Sequence, residues 1–218
     1  MRKNAAPIIN KISTANTLGF GSLHNLGSEA KRMSSLFKKS MYAKSKKEAE
    51  LLLLEKESST KIIIINPTFM LGAYDSKPSS GKIILMGWKK RFIFYPPGGK
   101  NFVHVQDVAS GIINALKDGT SGQHYLLANE NLSYKQFFKK LNTVTDQKSI
   151  LIPVPKVLLF SIGILGDLLR SVGIKTNMNL TNMKSLCIEN YFSNNKSIEQ
   201  LNTTYQPIEN AILDAIQY

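Results

Sequence analysis

Cysteine is almost absent: Cys187 is the only one in 218 residues. An internal disulfide framework is thereby excluded, and a reducing, cytoplasmic compartment is expected. Negative charge is also scarce, with 15 Asp+Glu against 28 Lys+Arg and a formal net charge of +13. Such an excess raises the question of nucleic acid or an anionic membrane surface. The lysines are scattered, however, in KRMSSLFKK, KSKK, WKKR and FFKK, and form no basic stripe interleaved with aromatics. No nucleic-acid partner is expected; the lysines read as a solvated surface, some of them serving an anionic cofactor or substrate. Long apolar runs are missing too. The most apolar stretch, VLLFSIGILGDLLRSVGI at 157–174, carries Asp167 and Arg170. Its unbroken part falls far short of the roughly 20 residues of a membrane span. It predicts a buried or interfacial helix and no membrane span. The start, MRKNAAPIINKIS, is basic but has no long apolar core, so no signal peptide is expected. His24, His104 and His124 have no metal-ligand spacing and Cys187 has no partner motif, so no metal is expected.

What is present suits a soluble globular domain, with 43% hydrophobic and 20% charged residues. PIINKI, at 7–12, predicts a short, poor strand, followed by a small-residue turn in STANTLGFG. A helix is expected from about Met41 to Glu57. KIIIIN, at 61–66, is apolar on both faces, as expected of a strand inside a parallel sheet covered by helices. Strand, helix and buried strand make a βαβ unit. A polar loop follows at 71–81, with Pro78 and Gly81, then a helix and a short strand up to the turn at Gly98-Gly99. Asp107 is expected to cap a helix over Val108–Lys117, with Gly119 past its end. Ser133 and Gln136 have capping-box spacing, and Pro207 opens a last helix with Ile208, Ala211, Ile212, Ala215 and Ile216 on one face.

The candidate chemistry lies in MYAKSKKEAE, at 41–50, where Tyr42 precedes Lys46 by four residues. On a helix these share a face. A free phenol has a pKa near 10, and bringing it to about 7 requires roughly 4 kcal/mol. An ammonium at about 4 Å and an effective dielectric near 20 supplies that order of magnitude. Spacing alone does not separate such a pair from a solvent-facing one.

The order of motifs does. STANTLGFG, YAKSK, NPTFMLGAYDSKPSSG, GGKNFVHVQDVASGIINAL, GQHYLLANENLSYKQFF and YFSNNKSIEQLNTTYQPIENAILDAI run in one sequence over nearly the whole chain. Together they resemble the extended short-chain dehydrogenase/reductases, the NAD-dependent epimerase/dehydratase family, in its dihydroflavonol-reductase-like and sugar-epimerase-like branch. The resemblance implies an α/β fold: a partial Rossmann-like parallel sheet over 1–70 with the YxxxK helix. A smaller, mixed, mostly helical substrate lobe follows over 71–218, with further sheet-associated strands. It implies NAD or NADP as cofactor and a sugar, nucleotide sugar or other small molecule as substrate, with hydride and proton transfer at a hydroxyl or carbonyl carbon. Tyr42 would be the acid/base, and Lys46 would lower its pKa and bind the nicotinamide ribose. Thr14, or by one position Ser13, would hold the substrate oxygen, and Pro67 and Thr68 would line the nicotinamide carboxamide. Arg91 and Lys100 are the cations considered for a substrate phosphate, and the resemblance assigns neither. A homodimer through the Tyr42 helix is a further implication.

The likeness is partial. A family member opens with a strand, a GxxGxxG turn and a helix that receives the pyrophosphate, and no such segment is present in these residues. The expectation is an N-terminally truncated form with an exposed strand edge, poor dinucleotide binding and impaired activity. The alternative is a non-catalytic family remnant acting as an interaction module.

Overall fold

The computed structural model describes residues 7–55, 60–75 and 79–218. The first unit alternates strand and helix. β1 (Ile8–Ile12) leads through a short 3-10 helix at Ala15–Thr17 into a small ribbon, β2 (Leu18–Gly19) against β3 (Ser28–Arg32). α1 (Met41–Leu54) starts where the Ser40 hydroxyl accepts from the Ala43 N–H. It ends at Leu54 with Glu55 as C-cap, short of the expected Glu57; residues 56 and 57, the basic start and Pro78 lie outside the described residues. β4 (Lys61–Pro67) then runs parallel to β1, with Ile8 opposite Lys61 and Ile12 opposite Ile65. Ile62, Ile63, Ile64 and Ile65 are all fully buried, as a strand covered on both faces requires.

β1 pairs with β4 alone among the described strands, and Ile8, Ile9 and Ile12 remain more than 40% exposed. This is the exposed edge expected from the sequence. A second sheet begins with β5 (Phe69–Leu71); α2 (Lys82–Leu85) and β6 (Phe92–Tyr95) lead to its central strand, β7 (Gly99–His104), which lies parallel to β5.

α3 (Val105–Asp118) follows without a break, and here one expectation is corrected. The N-cap is His104, whose side chain accepts from the Gln106 N–H, and Asp107 is already within the first turn. Asp107 instead uses both carboxylate oxygens on Gln206, accepting from its N–H at 2.9 Å and its Nε2 at 3.1 Å. It ties the chain before the last helix to α3. Its role is structural, as the sequence suggested, but it is not a cap.

β8 (His124–Leu127) returns to the first sheet, parallel to β4, so that sheet takes its third strand from well beyond residue 71. β9 (Glu130–Ser133) pairs antiparallel with β7. α4 (Tyr134–Val144) opens with the predicted Ser133–Gln136 capping box. β10 (Ile150–Pro153) pairs with β6, and the hairpin of α5 (Lys156–Ser171) and α6 (Leu180–Ser185) follows. β11 (Glu189–Asn190) joins β7, and α7 (Asn195–Leu201) and α8 (Ile208–Gln217) complete the fold. One core packs Phe102, Phe137, Phe138 and Leu141 against Ile208, Ala211 and Ile212 of α8. Another packs Ile63 and Ile65 against Val108 and Ala115 of α3. The chain is thus a mixed α/β protein with parallel sheets.

Candidate functional site

Because β1, β4 and β8 are parallel, their carboxyl ends open on the same side, the side on which ligands bind in open α/β sheets. The chain leaves β1 with the Ser13 N–H donating to the Ile65 carbonyl at 2.7 Å. It turns at once into the 3-10 helix, capped by the Thr14 hydroxyl, which accepts from Asn16 N–H at 3.3 Å. At the end of β4 the Thr68 N–H donates to the Leu127 carbonyl and its hydroxyl donates to Asn101 Oδ1 at 2.7 Å. A cavity of about 70 Å³ opens between these strand ends, lined by Thr14, Pro67, Thr68, Lys100, Asn101 and Asn190, with Phe69 and Phe192 among the other walls. Thr14, Pro67 and Thr68, and the candidate cation Lys100, therefore meet in one place.

Tyr42 and Lys46 stand at the start of α1 and are not part of this cavity's wall. Lys46 Nζ reaches the carbonyl of Ile12, the last residue of β1, at 3.5 Å, and lies 5.9 Å from the centroid of the Tyr42 ring. The Tyr42 side chain is 57% exposed. Ser13 takes a different course from Thr14: it is buried, and its hydroxyl donates to Glu50 Oε1 at 2.5 Å.

Glu50 is the residue that sequence reasoning missed. It is fully buried on α1, seven positions after Ala43, the other buried residue of that helix. Its Oε1 also accepts from the Thr17 hydroxyl at 2.7 Å and from Asn66 Nδ2 at 3.0 Å, and its Oε2 pairs with Lys47 at 3.0 Å. Burial pushes its carboxyl pKa up, but the hydrogen bonds from Ser13, Thr17 and Lys47 and the Lys47 charge outweigh this and hold it below the ordinary range. Asn66 Nδ2 further reaches the Thr14 carbonyl at 3.1 Å. The hub thus holds from behind the turn that presents Thr14. The available signal was a lone acid on the same helix face as Ala43, preceding four leucines.

His124 closes the hub on its far side, with Nδ1 3.0 Å from Asn66 Oδ1. Burial lowers its pKa, and the charges of Lys47 and Lys196 add to that while Glu50 opposes it. Asn66 Oδ1 can only accept, so His124 donates from Nδ1. Lys100 faces the cavity with its ammonium 5.0 Å over the Phe69 ring, and burial lowers its pKa as well. Arg91 lies instead over Phe92 and is not in this wall. His104 hydrogen-bonds Asp214 at 3.1 Å. Among the described residues no cluster of metal-ligating side chains occurs, and no helix is long and apolar enough to cross a membrane.

No protein-family model matches the chain. Over 184 residues it is 28% identical to a protein of Synechocystis sp. named as a dihydroflavonol 4-reductase, covering 81% of this chain and 54% of that one. The crystal structure of gox2253 superposes with a TM-score of 0.77 at 28% identity, covering 96% of this chain and 65% of the other. A UDP-glucuronic acid 4-epimerase from Bacillus cereus, solved in complex with NAD, superposes with a TM-score of 0.67 at 12% identity, covering 97% and 60%. The chain spans about half the length of the curated relative and under two thirds of these structural neighbours. Its relatives and neighbours are therefore dihydroflavonol-reductase-like and NAD-dependent sugar epimerase/dehydratase proteins of the short-chain dehydrogenase/reductase family, and it shares their Rossmann-type fold over the part it spans.

Proposed function

We propose that this chain forms the substrate-side and nicotinamide-side part of an NAD(P)-dependent reductase, epimerase or dehydratase acting at a hydroxyl or carbonyl carbon. The observation that carries the reading is the meeting of Thr14, Pro67 and Thr68 around one cavity at the strand ends, with Lys46 anchoring the Tyr42 helix to the end of β1. The cavity suits a nicotinamide carboxamide or a substrate hydroxyl in one further respect. Asn190 lines it, and its buried Oδ1 has no hydrogen-bond partner among the described residues, which leaves an acceptor unused beside the cavity.

When bound, the nicotinamide supplies or receives the hydride. The work of the chain is positional and acid–base. Thr14 holds the substrate oxygen by its hydroxyl. Tyr42 exchanges a proton with that oxygen, and Lys46 stabilises the phenolate and binds the adjoining ribose. Lys100, in the cavity wall over the Phe69 ring, favours a substrate with an anionic group, which supports a nucleotide sugar. Ser13, engaged by Glu50, supports the turn. These residues contain no glycine-rich pyrophosphate turn, so the chain by itself binds dinucleotide weakly and turns over slowly.

The test is a titration of the purified chain with NADH and NADPH, followed by nicotinamide fluorescence at low salt. Weak, saturable binding is expected, loosened about tenfold, or about 1.4 kcal/mol, by Lys46→Met. Tight binding would overturn the proposed impairment. Binding indifferent to Lys46→Met and to Thr68→Val would overturn the site.

A further inference from the structure

The α5–α6 hairpin has a surface that the proposed chemistry does not use. α5 turns Leu159, Gly163 and Gly166 inward. The two glycines permit the close approach: a Cβ on Gly163 would meet the Leu180 backbone at 2.8 Å, and one on Gly166 would collide with the Met178 carbonyl. With that side fixed against α6 and the turn before it, the opposite side faces solvent. Val157 is 77% exposed, Leu158 52%, Ile164 61%, Leu165 56% and Leu168 62%. These recur at the three- and four-residue spacing of one helix face, and Ser161 is the only polar residue among them. Val172 and Ile174, both more than half exposed, extend the patch into the following turn. A single large side chain left in water is ordinary; a contiguous aliphatic face is not.

Charge identifies what covers it. The exposed cations Lys156, Arg170 and Lys175 bracket the face at its two ends, and Lys184 is exposed on α6. The one acid of α5, Asp167, is engaged with the Leu180 N–H at 3.1 Å. Beside the end of the apolar face, Arg170, Lys175, Thr176 and Asn177 line a pocket of about 350 Å³ whose chemistry suits a phosphodiester. Aliphatic surface flanked by cations, on a chain of net charge +13, matches the interface of an anionic bilayer, where the side chains enter the acyl boundary and the cations reach the headgroups. We infer that the α5 face docks this chain onto the surface of an anionic-lipid bilayer, lying in the interface without spanning it.

The experiment is co-sedimentation of the full chain with phosphatidylcholine vesicles, with and without phosphatidylglycerol, in low and high salt. Binding is expected only with phosphatidylglycerol and is expected to fall with salt. The double variant Leu165→Asp/Leu168→Asp and the variant Arg170→Glu/Lys175→Glu should each weaken it at least tenfold. All four positions are exposed, so circular dichroism should be unchanged. Absence of binding by the folded wild type overturns the inference, as does binding that neither variant reduces. Sedimentation velocity supplies a third way to overturn it: a wild-type homodimer that Leu165→Asp/Leu168→Asp converts to monomer would assign the face to a second copy.

Discussion

Replacing Glu50 exposes the logic of the hub behind the candidate site. In Glu50→Ala, Ser13 loses the acceptor for its hydroxyl and remains buried, at about 1–3 kcal/mol for an unsatisfied group. Thr17 can turn its hydroxyl to the Thr14 carbonyl, already at 2.9 Å, and Asn66 keeps that same carbonyl as a partner, so neither adds a full penalty. Lys47 is 30% exposed and finds water, which limits its loss to about 1 kcal/mol or less. The truncated volume adds about another 1 kcal/mol. The sum is about 2–5 kcal/mol, a large share of a typical domain's stability. Glu50→Gln retains an acceptor for Ser13 and Asn66 and places an amide against Lys47, so about 1–2 kcal/mol is expected. Urea denaturation followed by circular dichroism measures both. The pH dependence follows from the depressed carboxyl. Its stabilisation is present above the unfolded value of 4.5 and is lost as pH falls through the lower folded value, so wild type should lose its advantage over Glu50→Gln in that acid range. Equal stability of wild type and Glu50→Ala at neutral pH would refute the hub.

Tyr42→Phe should abolish turnover in any form of the protein that has it, by about 10²-fold or more, with little change in denaturation midpoint because the ring is mostly exposed. Steady-state kinetics beside a urea curve separate the two effects. At the alkaline end, Tyr205 is raised to about 12, chiefly by burial, and its hydroxyl lies 2.8 Å from that of Ser197. The folded state then holds this proton more tightly than the unfolded one, so stability falls as pH rises above about 10, and a thermal melt of Tyr205→Phe should show a shallower decline. Gly166→Ala should destabilise the α5–α6 hairpin by about 1–3 kcal/mol, because the helix must shift away from the Met178 carbonyl. Hydrogen exchange of α6 reads this directly, and unaltered protection would show that the approach is not tight.

Several elements were decided by neighbours in the chain and so are legible in the sequence. The run of isoleucines at 62–65 makes a strand with two buried faces, the Ser133–Gln136 spacing makes a capping box, and the period of Ile208, Ala211 and Ile212 faces α8 to the core. Each depends on a repeat or a spacing within a few residues, which the backbone geometry of helix and strand converts directly into a face. Asp107 shows where this fails: local spacing nominated it as a cap, whereas His104 takes that place and Asp107 reaches a residue almost a hundred positions away.

The same holds for the site. Tyr42 and Lys46 share a helix face by sequence alone, but their position beside the end of β1 depends on the parallel pairing of β1 with β4. The difference between Ser13 and Thr14, adjacent and chemically alike, was decided by Glu50 arriving from α1 to bind one and leave the other at the cavity. The meeting of Thr14 with Asn101 and Asn190 brings the turn after β1 against β7 and β11 of the second sheet. Sequence by itself determined the elements with a clear short-range period, such as β4, α4 and α8, and the motifs they carry. Only the tertiary structure decided which polar groups are buried, paired or left open to a ligand, because that depends on long-range strand pairing that no local pattern encodes.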